Sequence, residues 1–222
     1  METCLPPEVP EQTGTKLERR TLKAVDPLCS PAVLLASVFS REEEQHHLVL
    51  LSGESGAGKT RWCLELIEYA KAQKIPVCGL VSPPVFEGNR KIGIDLVDLI
   101  SGERRRLAVL RKEGALPSEK GPQTEDWQFD KETLDWGNQI LNQLSHRLQG
   151  KPYVLILDEL GPLEFLRGKG LLNALRLIDQ RHYTLACVVV RPGLLPMAQQ
   201  RWSWGQIIAL QNNNLAGDRD QG

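Results

Sequence analysis

An α/β fold, a mainly parallel sheet flanked by helices with an inserted β-hairpin, is what the sequence predicts, and three observations predict it. From residue 48 onward, short apolar runs alternate with segments of helical period. The first run, Leu48-Val49-Leu50-Leu51, leads straight into a glycine-rich turn ending in Lys59-Thr60, with a helical stretch behind it. A later run, Tyr153-Val154-Leu155-Ile156-Leu157, is apolar at every position, as suits a parallel strand covered on both faces.

The elements follow in order. Residues 1–45 form an N-terminal extension, disordered at its start, where Pro, Glu and Thr are frequent. It holds a short element around 32–39 and an exposed charged turn at 41–44. The main domain spans 46–211. A strand at 48–52 precedes a helix at 58–73, whose Cys63, Leu66, Ile67 and Ala70 share one face. A second strand covers 77–82. Strands at 92–99 and 107–110 form a hairpin around Ser101-Gly102-Glu103. The Gly/Pro/Glu-rich stretch 111–126 reads as a mobile loop. Asp130 caps a helix running to residue 149, with Leu134, Leu141, Leu144 and Leu148 on its buried stripe. The strand at 153–157, a helix at 170–180, a strand at 184–190, a short helix at 194–201 and a strand at 206–210 complete the domain. Residues 212–222 are a polar tail.

Bulk properties narrow the partners. The 222 residues carry a net charge of −1, with no basic excess to mark nucleic acid as the main partner. The run Arg104-Arg105-Arg106 reads as a solvated strand edge. Cys4, Cys29, Cys63, Cys78 and Cys187 are odd in number and scattered, which predicts reduced thiols in a cytoplasmic protein, neither a disulfide frame nor a zinc site. The apolar stretch 31–39 is too short to cross a membrane, and no membrane partner is expected. The N-terminal extension is the candidate surface for a protein partner.

Gly53, four residues, then Gly58-Lys59-Thr60 is the P-loop pattern G-x-x-x-x-G-K-[ST]. Glycines let the backbone curl so that the N–H groups of Gly53, Glu54, Ser55, Gly56, Ala57 and Gly58 face a phosphate, and the following helix adds its positive end. Lys59 is placed to reach the β- and γ-phosphates of a nucleoside triphosphate such as ATP or GTP, and the Thr60 hydroxyl to ligate Mg²⁺. The second half of such a site is a carboxylate. The stretch YVLILDELGPLEF, from Tyr153 to Phe165, ends an apolar strand in Asp158-Glu159. On a neighbouring parallel strand, Asp158 would hold the metal, and Glu159 would polarise a water for attack on the γ-phosphate.

The string Asp158-Glu159-Leu160-Gly161-Pro162-Leu163-Glu164 resembles the Asp-Glu-x-Gly-Pro-x-Glu segment of the THEP-type nucleoside-triphosphatase family. The stretch from Gly79 to Leu110 is similar to that family's second strand and hairpin, and the resemblance covers roughly residues 48–214. It implies a P-loop fold near those of RecA and the adenylate kinases. It implies a Mg²⁺-dependent hydrolysis of nucleoside triphosphates, with the phosphate loop on Gly53 to Thr60, the metal carboxylate on Asp158 and the water-activating residue on Glu159. A later acidic position falls on Glu164, and the arginine of the hairpin turn, a catalytic position, on Arg90. Where that family carries Glu-Val-Arg, this chain has Pro84-Val85-Phe86; Arg167 and Arg191 stand with Arg90 as candidate transition-state cations. Trp127, Trp136, Trp202 and Trp204 are candidates for base stacking, Trp136 reading rather as core. Two other functions fit the same residues: a P-loop kinase whose acceptor sits between residues 83 and 126, activated by Glu159 or Glu164, and a non-catalytic nucleotide-binding module.

Overall fold

The computed structural model describes residues 21–23, 30–40, 46–111, 121–147 and 152–211, with the backbone alone at 21–23, Ser145 and Glu159. The expected disorder at the start of the chain, the charged turn at 41–44, the helix end at 148–149 with Leu148, most of the loop at 111–126 and the polar tail lie outside the described residues.

In chain order the elements are β1 (Thr21–Lys23), α1 (Pro31–Phe39), β2 (His47–Ser52), α2 (Lys59–Ala72), β3 (Val77–Val81), β4 (Pro84–Glu87), β5 (Arg90–Asp98), β6 (Arg104–Leu110) and β7 (Trp127–Phe129). There follow α3 (Lys131–Arg147), β8 (Val154–Leu160), α4 (Pro162–Arg167), α5 (Leu172–Gln180), β9 (Leu185–Val190), a 3₁₀ turn at Pro192–Leu194, α6 (Leu195–Arg201) and β10 (Gln206–Ala209). Among the described residues these strands make one ten-stranded sheet in the order β1-β10-β2-β9-β8-β3-β5-β6-β7, with β4 paired to β5. The strands from β1 to β3 in that order run parallel, and β4 to β7 extend the sheet antiparallel beyond β3.

One expectation needs correcting. The strand carrying Asp158 is not the neighbour of the P-loop strand: β9 lies between β2 and β8. β9 is buried at every position, which only a central strand requires.

Alternation along the strands sorts the core into two layers. Val49, Leu51, Ile156, Cys187 and Val189 face α1 and α2, where Leu34, Leu35, Trp62, Cys63, Leu66 and Ile67 are buried. Leu48, Leu50, Leu155, Leu157 and Val188 face α3, α5 and α6, against Leu141, Leu144, Leu177, Ile178 and Trp202. Side chains two apart share a face, so each central strand feeds both layers.

Local chemistry fixes the hairpin and α3 as expected. In the turn after β5, the Asp98 carboxylate accepts from the backbone N–H groups of Ile100 (3.1 Å) and Ser101 (3.2 Å) and from the Ser101 hydroxyl (2.6 Å), while Gly102 takes φ +74°. The Thr133 N–H donates to Asp130 Oδ1 at 2.8 Å, the cap expected for α3. The arginine run on β6 is exposed and paired: Arg106 with Asp95 at 2.6 Å and Arg105 with Glu103 at 2.8 Å. Strands β1, β4 and β7 and helix α4 are additions to the expected elements. β4 had a signal, because Gly88-Asn89 between Glu87 and Arg90 is a two-residue hairpin turn, with Gly88 at φ +57°.

Candidate functional site

The site grows from the C-terminal ends of the parallel strands, where open α/β sheets bind ligands. β2 ends at Ser52, and the chain turns through Gly53 to Gly58 into α2. Gly56 and Gly58 have φ of +81° and +85°, a region that side chains avoid. Gly53 packs so closely on the neighbouring strand end that an added Cβ would lie 2.7 Å from the Leu210 carbonyl oxygen. The loop therefore needs glycine at these three positions for stated reasons.

Lys59 is the first residue of α2, and its Nζ donates to the carbonyls of Gly53 (2.7 Å) and Glu54 (2.8 Å). The ammonium thus lies across the mouth of the loop, held by groups it can exchange for phosphate oxygens. One residue on, the Thr60 hydroxyl donates to Asp158 Oδ2 at 3.3 Å, a contact between residues 98 positions apart. The same carboxylate oxygen accepts the backbone N–H of Ser82, at the end of β3, at 3.4 Å. Asp158 is buried, 6% exposed, and is held in place at the meeting of β3, β8 and the start of α2.

The backbone of β8 explains how Asp158 and Glu159 come to share the strand end. Leu157 pairs with Val188, but Leu160 pairs with Val190, so two residues of β8 stand against one of β9. This bulge covers Asp158 and Glu159, and bulges re-aim side chains where pairing is interrupted. The side chain of Glu159 lies outside the described residues.

Glu164, the later acidic position, is held by the backbone around it. Its Oε2 accepts the Gly161 N–H and its Oε1 the Leu171 N–H, both at 2.8 Å. At the third position of α4 it makes the reach-back half of a capping box, Gly161 having no side chain to make the other; Pro162 holds the first helical position, and Gly170 leaves room for the carboxylate. Both oxygens are thus held by backbone donors, and Glu164 fixes the turn that follows Asp158-Glu159. Arg90 sits at the exposed turn of the β4–β5 hairpin. Arg167, on α4, donates to the Gln123 carbonyl, and Arg191 follows the last residue of β9. Of the tryptophans, Trp202 is fully buried, which leaves it no face for a base, and Trp136 has Arg105 over its ring.

The donors suit a hard divalent cation. Thr60 and Asp158 offer oxygen ligands, and among the described residues no three His, Cys, Asp or Glu side chains cluster as a self-sufficient metal site. Mg²⁺ is held in that way, by one or two protein oxygens with the rest from phosphates and water. Among the described residues no helix is long and apolar enough to cross a membrane.

Comparison with known proteins gives the family and the fold. A family model described as NTPase matches residues 48–215. The chain is similar to the nucleoside-triphosphatase THEP1 of Methanopyrus kandleri, 32% identical over 143 residues, covering 64% of this chain and 73% of that protein. It is also similar to THEP1 of Pyrobaculum aerophilum, 31% identical over 164 residues, covering 71% and 86%. Among solved structures, that of a human cancer-related nucleoside triphosphatase shares the fold at a TM-score of 0.58 and 22% identity, over 77% of this chain and 91% of that one. THEP1 from Aquifex aeolicus shares it at 0.54 and 15% identity, over 77% and 93%.

Proposed function

The chain belongs to the NTPase family and is an enzyme of nucleoside-triphosphate hydrolysis; from that premise we propose that ATP and GTP are its substrates, Mg²⁺ its cofactor and Glu159 its water-activating residue. The observation that carries the reading is the Thr60–Asp158 contact, which joins the phosphate loop to the only buried carboxylate that touches it among the described residues.

The loop amides and the N-terminus of α2 bind the β-phosphate. Lys59 leaves the Gly53 and Glu54 carbonyls for the β- and γ-phosphates, exchanging neutral acceptors for charged ones. Thr60 and Asp158 would hold Mg²⁺, which when bound would neutralise charge on the phosphate oxygens. Glu159, at the β8 bulge, orients a water and accepts its proton as the water oxygen attacks phosphorus and the diphosphate leaves. Arg167 and Arg191, near the ends of β8 and β9, and Arg90 on the hairpin are the cations available to the developing charge.

The test is phosphate release from ATP and GTP with Mg²⁺, alongside nucleotide binding. Lys59→Ala is expected to lose both. Glu159→Gln is expected to keep binding and lose turnover by about a hundredfold or more. Wild-type protein that binds nucleotide with no phosphate release would sink the reading.

A further inference from the structure

Beyond the P-loop, the ends of β3, β8 and β9 open onto a cavity of about 250 Å³. Its inner wall is apolar: Leu107 from β6, Trp127 and Phe129 from β7, and Leu134 from α3. Its rim at the strand ends carries Arg167 and Arg191 beside Glu164, whose two carboxylate oxygens are taken up by the Gly161 and Leu171 amides. Ser82, whose backbone N–H is bonded to Asp158, lines it too, so one residue links the cavity to that carboxylate.

The roof is preformed. Arg167 donates to the Gln123 carbonyl from one side, and Arg111 donates to the Thr124 carbonyl at 3.2 Å from the other. Glu125 and Asp126 complete this roof and are exposed, facing outward as well as in. Trp127 is fixed between the cavity and Lys91, whose Nζ stands 4.9 Å from the ring centroid. A cavity of about 150 Å³ holds benzene, and drug-sized molecules take about 300 Å³ or more. The present volume lies between the two.

We infer that this cavity is a binding subsite for a second small molecule, an aromatic ring of one or two cycles bearing an anionic group, with the ring against Trp127 and Leu134 and the anion at Arg167 and Arg191. Apolar walls reward the ring, and a guanidinium pair at one end orients the charge. Only the subsite's adjacency to a γ-phosphate rests on the function proposed above; its affinity for a ring does not.

The experiment uses the nucleotide-free full chain, with 2-naphthoate and neutral 2-naphthamide as probes. The readout is the indole N–H resonance of Trp127, assigned with Trp127→Phe. The expected result is a saturable shift with 2-naphthoate and binding about tenfold weaker for the amide. Leu134→Phe and Leu107→Phe, which fill the cavity from two different elements, are each expected to weaken the acid about tenfold or more while nucleotide binding persists. Arg167→Gln is expected to erase the preference for acid over amide. No saturable shift in wild type, or a shift unaltered in both filled variants, would overturn the subsite. Phosphate release by the same wild-type sample reports on the hydrolase reading separately, so either can fail alone.

Discussion

Glu164 shows how one carboxylate can matter to a site through the backbone it holds. It accepts two backbone amides that flank the segment after Asp158-Glu159, and it is 9% exposed. Glu164→Gln replaces one acceptor by a donor and leaves one of those amides unpaired, at a cost of about 1–3 kcal/mol. Thermal unfolding of the variant is expected to show that loss, and an unchanged midpoint would refute the capping role. The sequence held the clue, since Gly-Pro followed by Glu is capping-box spacing, yet the family resemblance alone implies a site position there. The P-loop residues were legible for the opposite reason: the turn made by Gly56 and Gly58 and the reach of Lys59 back to Gly53 depend on local spacing, and local spacing is what a sequence prints. What no local pattern could print is that Ser82 donates to Asp158, because 76 residues separate them.

At the scale of elements, β3 is the strand with least tolerance. Gly79 has φ +114°, and a Cβ there would collide with the Ile156 carbonyl of β8. Gly79→Ala is expected to cost about 3 kcal/mol, read from denaturant unfolding, and to weaken nucleotide binding only through that loss. A variant as stable as wild type would show that β3 and β8 can move apart. Most elements were legible from period and turn chemistry, and those not foreseen are short or exposed. β1 and β7 have three residues each, too few for a pattern, and β4 is an edge strand that opens on Pro84 and turns its side chains to solvent. The order of the strands was less legible than the strands themselves. Apolar runs such as β8 and β9 say that a strand is central, and nothing in them says which neighbour it takes.

At the scale of the molecule, the two-layer core keeps several acidic groups neutral. Burial pushes Cys78, Tyr153 and Tyr183 up from their ordinary values, and for Cys63 the hydrogen bond with Cys187 leads, with burial behind it. In the unfolded chain thiols lose their protons near pH 8.5 and phenols near about pH 10. Folded values lie higher, so the stability these groups confer is complete below the unfolded values and is lost as pH rises past them. Urea midpoints are expected to fall between about pH 8.5 and 10.5, less steeply in Cys78→Ala, and a flat profile would contradict the assignment. The place of β9 carries a consequence for how the protein is made. A ribosome that has released α4 has already delivered the P-loop, Asp158 and Glu159, yet the strand that must lie between β2 and β8 is still to come. For that interval β8 and β3 to β7 can pair among themselves while β2 has no partner strand, since both of its neighbours, β9 and β10, are still unmade, a state open to mispairing and to chaperones. The glycine-rich loop and Asp158 come together only when residues 185–190 slide in between β2 and β8.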